Sequence, residues 1–143
     1  MNVDGTVLAF DYGEKRIGVA NGQTVTCTAA PLATITVTDQ RPDWTAIETL
    51  IAQWRPALLV VGLPLNMDGT EHAMTVAARR FAAKLHGRYK LPVEMVDERL
   101  SSVAAEEQLR DSRLGKQKRR QKESVDQFAA QVILMGWFRT FRS

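Results

Sequence analysis

The chain has 143 residues, 45% of them hydrophobic and 24% charged, which is typical of one globular domain that can bury a core. We therefore expect a single domain over residues 1–143. No apolar run approaches the roughly 20 residues of a membrane span, and the first residues lack the pattern of a signal peptide, so we expect no membrane association. Cys27 is the only cysteine, which excludes an internal disulfide and indicates a reducing, cytoplasmic location.

The formal net charge is only +3, but the positive charges are concentrated in one segment near the C-terminal end. Such a cluster predicts a polyanionic partner, although a solvated loop would show the same pattern. The stretch over 111–122 lacks apolar periodicity, so we predict a loop there. The basic residues of the segment are Arg110, Arg113, Lys116, Lys118, Arg119, Arg120 and Lys122.

The first structured segment, over residues 7–20, is an apolar run that ends in Asp11, a charged turn with a glycine, and a second apolar run. This pattern predicts a strand, a turn and a returning strand, with Asp11 at the end of the first strand. A carboxylate there is either solvated or bound to a cation, because burying an unpaired charge is costly. Residues 24–28 and 32–38 also have strand composition, with Pro31 between them or at an edge. The opening is therefore predicted to be an antiparallel meander of three strands.

After the meander the apolar periodicity becomes that of a helix. Apolar residues recur at helical spacing from Trp44 to Trp54, Asp43 stands at the N-cap position, and Pro56 ends the helix. The run over 57–62 is apolar throughout, which is typical of a strand buried on both faces of a parallel sheet.

The remaining elements alternate between helix and strand. A second helix is predicted over about 70–88, ending near Gly87, then a strand over 92–97 and a short helix over 103–110. The last helix, over about 123–141, is apolar nearly all round. This order predicts an α/β fold with a mixed five-stranded sheet, formed by the three-strand antiparallel meander and two parallel strands, with helices on both faces.

Acidic residues fall at the ends or faces of core elements: Asp11, the Asp97–Glu98 pair and Asp126. In open sheets functional sites gather at the carboxyl ends of strands, so these side chains are expected at one rim. Converging carboxylates repel one another, and hard divalent cations such as Mg²⁺ or Mn²⁺ relieve the repulsion. Two ions about 4 Å apart would activate water and stabilise the leaving oxygen of a phosphodiester. Each residue alone also fits a turn, cap or surface role, and both histidines are interpreted as surface residues.

Four blocks of the sequence, in order, resemble the YqgF/RuvX family of pre-16S rRNA nucleases, bacterial relatives of the Holliday-junction resolvase RuvC. The blocks lie at 11–20, 62–71, 97–101 and 126–130, so the resemblance covers essentially the whole chain. The first block alone would be a weak signal, but four ordered blocks at matching spacing are a strong one.

The resemblance implies an RNase H-like fold and a nuclease that uses Mg²⁺ or Mn²⁺, acting at the 5′ end of pre-16S rRNA or alternatively on branched DNA. By motif match the acidic site is Asp11, Glu98 and Asp126. RuvC-type enzymes carry their second acid at the end of the fourth strand, where this chain has Gly62. The resemblance therefore assigns the second acidic position to Asp97 or Glu98. We favour Glu98, because Asp97 fits the alternation of side chains along its strand and is expected to face the sheet.

Basic and polar residues near these positions are candidates for substrate binding. The turn after Asp11 and the loop over 62–71 could contact a phosphate or line the cleft, and the basic segment would contact backbone phosphates without reading sequence. Arg99 is predicted to pair with a site carboxylate. The substrate-binding candidates are Lys15, Arg16, Asn66, Arg113, Lys116, Lys118, Arg119, Arg120 and Lys122.

Other functions fit part of the pattern. Asp-x-Gly after a first strand also occurs in ATPase domains of the actin and Hsp70 type, but those proteins place ATP between two such domains and this chain has the length of one. A non-catalytic module could bind nucleic acid, the ribosome or the transcription machinery through the basic segment. Among nucleases, symmetric junction cleavage favours a homodimer, whereas RNA processing leaves a monomer or a homodimer open.

Overall fold

The computed structural model describes residues 5–100 and 122–142, so the predicted helix over 103–110 and most of the basic segment lie outside the described residues. None of the described helices is long and apolar enough to cross a membrane. The strands are β1 (Thr6–Tyr12), β2 (Arg16–Gln23), β3 (Thr28–Thr38), β4 (Arg41–Pro42), β5 (Leu58–Leu63) and β6 (Val93–Asp97). The helices are α1 (Trp44–Trp54), α2 (Ala73–Tyr89) and α3 (Lys122–Arg142), with a 3-10 turn at Glu98–Leu100 after β6.

The described strands form one sheet in the order β4-β3-β2-β1-β5-β6. β1, β2 and β3 pair antiparallel, and β5 pairs parallel with both β1 and β6. The predicted meander with two parallel strands is therefore confirmed. The sixth strand, β4, is an addition: it is two residues long and pairs with the end of β3, which is too short a segment for periodicity to signal.

The sheet separates two hydrophobic cores. Leu8 and Phe10 of β1 face α1 and α2, whereas Val7 and Ala9 face α3. The predicted helices on both faces are thus present, and β5 is fully buried from Leu58 to Val61. Because side chains alternate along a strand, Asp11 continues the Val7–Ala9 row on the α3 face.

The strand predicted over 24–28 is wrong for residues 24–27, which form the turn between β2 and β3. β2 continues to Gln23, so the chain must reverse directly after it. Cys27 takes a left-handed φ of 53° in this turn. The Thr24 hydroxyl accepts a hydrogen bond from the Gly5 amide (2.9 Å). β-branched composition misled the prediction because hydrogen bonds to Gly5, not pairing in a separate strand, satisfy Thr24.

The predicted ends of α2 also need correction. The helix begins after His72, whose Nδ1 accepts from the Met74 amide (3.3 Å) while the Thr75 hydroxyl accepts from the His72 amide (3.1 Å). This reciprocal pair satisfies amides that have no partner within the first turn. The helix ends at Tyr89, its C-cap Lys90 takes the left-handed conformation with φ 58°, and Gly87 lies inside its last turn.

Candidate active site

Asp11 lies between two glycines on the neighbouring strands. Gly18 of β2 is its direct cross-strand partner. On the other side of β1, Phe10 pairs with Val61 of β5. The next residue of β5, Gly62, therefore lies beside Asp11. Since neither glycine has a side chain, the space on both sides of the Asp11 carboxyl is open to groups from other parts of the chain.

The Gly18 side of this space is filled by the backbone of α3. A Cβ atom at Gly18 would lie 1.9 Å from the carbonyl oxygen of Asp126, so the helix rests directly on β2 at this point. The Gln127 side chain also donates from Nε2 to Oγ1 of Thr34 on β3 (3.1 Å). This close packing brings Asp126 to the same rim as Asp11.

The Gly62 side is filled by Glu98. A Cβ atom at Gly62 would lie 2.6 Å from Oε1 of Glu98 and 2.4 Å from Cδ1 of Ile133. Glu98 is the first residue after β6, and its side chain reaches back over β5. Its carboxyl therefore occupies the volume that a side chain at the end of β5 would fill.

Asp97 is placed differently from Glu98. Its carboxylate accepts from Nη2 (2.7 Å) and Nε (3.1 Å) of Arg99, and these hydrogen bonds hold the pKa of Asp97 below its usual value. Nη1 of Arg99 also donates to the carbonyl oxygen of Met67 (3.1 Å), which ties the loop after β5 to the end of β6. Arg99 thus pairs with a carboxylate as predicted, and that carboxylate is Asp97.

The carboxyl groups of Asp11 and Glu98 are joined by a hydrogen bond. Burial, and next the charge of Glu98, raise the pKa of Asp11 from 3.8 to about 8, so at neutral pH Asp11 is protonated and donates to Glu98. Burial also raises the pKa of Glu98, and the nearby His72 opposes that shift. The pair is therefore a half-buried acid–carboxylate couple that shares one proton.

Asp126 is held in an ion pair beside this couple. Nε of Arg16 donates to its Oδ2 at 2.7 Å, and the two side chains are 35% and 24% exposed respectively. The charge of Asp126 contributes to the raised pKa of Asp11. In this arrangement no three His, Cys, Asp or Glu side chains among the described residues are grouped closely enough to hold a metal ion. The carboxyl groups of Asp11 and Glu98 lie together, whereas that of Asp126 points towards Arg16.

The remaining candidates differ in placement. Lys15 is exposed in the β1–β2 turn, whereas Nδ2 of Asn66 donates to Oγ1 of Thr70 (3.0 Å) and so stabilises its own loop. His72, interpreted from sequence as a surface residue, caps α2 and acts electrostatically on Glu98. The spacing of His72 and Thr75 resembles a capping box and could have revealed it. The predicted contacts of Arg113, Lys116, Lys118, Arg119 and Arg120 lie outside the described residues, as does the side chain of Lys122.

The raised pKa of Asp11 predicts a specific dependence of stability on pH. The folded state holds this proton more tightly than the unfolded chain, with a pKa of about 8 against 3.8. The contribution of Asp11 to the free energy of unfolding is therefore largest below about pH 4 and is lost as the pH rises to about 8. Asp11→Asn should match the wild type near about pH 4 and unfold at a higher temperature near about pH 8. Thermal unfolding at both pH values checks this, and coincident curves at the higher pH would contradict a desolvated Asp11.

Comparison with known families gives a match over nearly the whole chain. The family model described as "RuvX: Holliday junction resolvase" matches residues 5–140. Proteins of Yersinia enterocolitica, Nitrosococcus oceani and Dechloromonas aromatica, each named "Putative pre-16S rRNA nuclease", are 51%, 53% and 50% identical to it. These matches cover 93%, 92% and 94% of this chain and 94%, 84% and 90% of the relatives.

Solved structures of lower sequence similarity share the fold. RuvC of T. thermophilus, in complex with a Holliday junction substrate, aligns with a TM-score of 0.60 at 17% identity, over 97% of this chain and 96% of RuvC. A Fowlpox virus resolvase with Holliday junction DNA aligns with a TM-score of 0.60 at 10% identity, over 96% of this chain and 99% of the resolvase. The predicted RNase H-like fold is confirmed. With the family model matched over residues 5–140, the chain belongs to the RuvX family.

Proposed function

We propose that this chain is a nuclease, dependent on Mg²⁺ or Mn²⁺, that hydrolyses a phosphodiester bond at the 5′ end of pre-16S rRNA in the cytoplasm. The observation that carries the proposal is the hydrogen-bonded Asp11–Glu98 couple at the sheet rim, with Asp126 beside it. The name of the curated relatives supports the choice of RNA.

The donor set fits a hard divalent cation. Such ions prefer carboxylate oxygens, and a half-buried pair of carboxyls that shares one proton gains stability when a cation replaces the proton. Asp11 and Glu98 would hold the metal, with Asp126 as the third carboxylate once Arg16 releases it. The bound metal would supply an activated water and a counter-charge for the leaving oxygen.

Arg16 has a second task in this proposal. Its guanidinium forms an ion pair with Asp126, with Nε 2.7 Å from Oδ2. A phosphate at the rim offers the same planar donor group an alternative partner of higher charge. Arg16 would then turn to the phosphate as Asp126 turns to the metal, with Lys15 supplying further positive charge. The basic segment, Arg113 to Lys122, would contact more distant phosphates.

The experiment compares wild type with Asp11→Asn, purified identically, on a precursor rRNA carrying the 5′ extension and on a four-way DNA junction. Each reaction is run with Mg²⁺, with Mn²⁺ and with chelator. We expect metal-dependent cleavage of the RNA by the wild type and none by the variant. Equal cleavage by both proteins would refute the carboxylate site. Binding of RNA without cleavage by either protein would instead support the non-catalytic module.

Cleavage of branched DNA is the second candidate. The description of the family model and the Holliday junctions bound by two structural neighbours favour it. Faster cleavage of the four-way junction than of the precursor RNA would select this function, and we would then expect a homodimer, because junction cleavage is symmetric.

A further inference from the structure

We propose that a groove on the α2 side of the sheet binds the single-stranded RNA that flanks the cleavage site. This inference rests on the proposed function and extends it to a part of the substrate away from the scissile bond. The groove lies between α2, the β1–β2 turn and the β3–β4 turn, and it has a volume of about 590 Å³. It is separate from the carboxylates, which face α3.

The groove begins next to the candidate active site. Tyr12 lines it and directly follows Asp11 in β1. Because successive side chains of a strand point to opposite faces, Asp11 and Tyr12 lie back to back at the same rim, with Cα atoms about 3.8 Å apart. A nucleic acid strand that crosses the rim at Asp11 would therefore pass directly into the groove.

The α2 wall of the groove carries two positively charged side chains. Arg80 and Lys84 are exposed and four residues apart, so they project side by side from one face of the helix. Neither side chain forms an ion pair with any residue in 5–100 or in the described part of α3. Arg79, on the same helix, does not line the groove and pairs with Glu71 at 3.0 Å. Arg80 and Lys84 are thus on the groove side without an ion pair, where they match a phosphate backbone.

The floor of the groove is apolar and partly aromatic. Tyr12 packs against Phe81 with ring centroids 5.0 Å apart and remains partly exposed, and Met74 and Val37 extend the apolar surface. Val76, at the groove, is 43% exposed, which is high for a branched apolar side chain. Proteins that bind single-stranded nucleic acids combine such features: cationic side chains contact the phosphates, and aromatic rings stack against the bases.

The walls opposite α2 carry one cation, Lys15, and three side chains with acceptor oxygens, Glu14, Asp39 and Gln40. Asp39 and Gln40, in the β3–β4 turn, line the groove and have left-handed φ values of 51° and 63°. They form the two-residue loop of the β3–β4 hairpin, in which positive φ at both positions matches the twist of the strands. Their oxygens can accept hydrogen bonds from exocyclic amino groups of bases. The groove therefore has a phosphate wall and a base-edge wall, which fixes the orientation of a bound strand.

The size of the groove selects a single strand. A volume of about 590 Å³ lies in the range of sites that enclose a drug-sized group, so it admits about one or two nucleotides and excludes a duplex. Duplex or structured RNA would remain at the carboxylate rim, and only an unpaired tail would enter the groove.

The test measures binding of labelled RNA hairpins, with and without an unpaired tail of about four nucleotides, by fluorescence anisotropy in chelator, so that no cleavage occurs. We compare wild type, the double variant Arg80→Ala/Lys84→Ala, and Arg79→Ala as the control that removes a charge from the same helix outside the groove. We expect the tail to increase the affinity of wild type and Arg79→Ala about tenfold, and the double variant to lose that gain while binding the tailless hairpin normally. The salt dependence of tailed-RNA binding should become shallower by about 0.7 per lost phosphate contact.

The inference is overturned if the tail adds no affinity for the wild type, or if the double variant weakens tailed and tailless RNA equally. A tail carrying 4-thiouridine should also crosslink to α2 in the wild type, and crosslinks confined to other elements would contradict the groove. The experiment distinguishes failure of the groove from failure of the proposed function. A tail effect without metal-dependent cleavage would refute the nuclease activity but support the groove. Metal-dependent cleavage without a tail effect would support the nuclease activity but refute the groove.

Discussion

Replacing Gly18 by alanine is expected to destabilise the protein by about 3 kcal/mol and to abolish the active-site geometry. The new Cβ atom would lie 1.9 Å from the carbonyl oxygen of Asp126, and this neighbour is helix backbone, which cannot turn aside as a side chain does. α3 must therefore move away from β2 and carry Asp126 with it. Thermal unfolding should show a decrease of about 10 °C in the midpoint.

Gly87→Ala is the matched control for this substitution. A Cβ atom at Gly87 meets nothing within 4 Å, and the residue is exposed near the end of α2. Alanine has the higher helix propensity, so the control should stabilise the protein by about 0.5–1 kcal/mol. A Gly18→Ala variant with unchanged unfolding would contradict the close packing of α3 on β2.

Replacing Glu98 by glutamine should lower the rate of metal-dependent cleavage by about 10³-fold or more, with little loss of stability. Glutamine keeps the shape of Glu98 over Gly62 but removes the negative charge that would hold the metal. Asp97→Asn is the neighbouring control. It breaks the ion pair with Arg99 and should destabilise the protein slightly, while the cleavage rate falls less than about tenfold.

Single-turnover cleavage and thermal unfolding of both variants separate the two roles. Because Asp97 and Glu98 are adjacent in the chain, a general disturbance of this turn would affect both variants alike. A larger rate loss in Asp97→Asn than in Glu98→Gln would assign the metal to Asp97 and contradict the proposed site.

The elements that the sequence predicted well are those with a strong local pattern. The apolar run of β5 and the helical spacing of α1, with Asp43 at its N-cap, signal their structure without reference to the rest of the chain. Residues 24–27 and His72 were misread because their conformation depends on where β2 and the loop after β5 end. Such boundaries are set by hydrogen bonds to distant residues, such as that between Thr24 and Gly5.

The candidate site shows the same division. That Asp11 ends a core strand is visible in the sequence, because it interrupts an apolar run. That Gly18 and Gly62 flank it in space depends on strand register, which the sequence does not state. The partner of Arg16 could not be predicted at all, since Asp126 is 110 residues away and reaches it only through the packing of α3 on β2.

The central claim, that Asp11 and Glu98 hold a divalent cation, is tested most directly by calorimetric titration of the free protein with Mn²⁺. No nucleic acid is present, so a contaminating nuclease cannot influence the result. We expect the wild type and Asp97→Asn to bind Mn²⁺, and Asp11→Asn and Glu98→Gln to bind at least about tenfold more weakly while remaining folded. Equal Mn²⁺ affinity in all four proteins, or no binding by the wild type at millimolar Mn²⁺, would contradict the account.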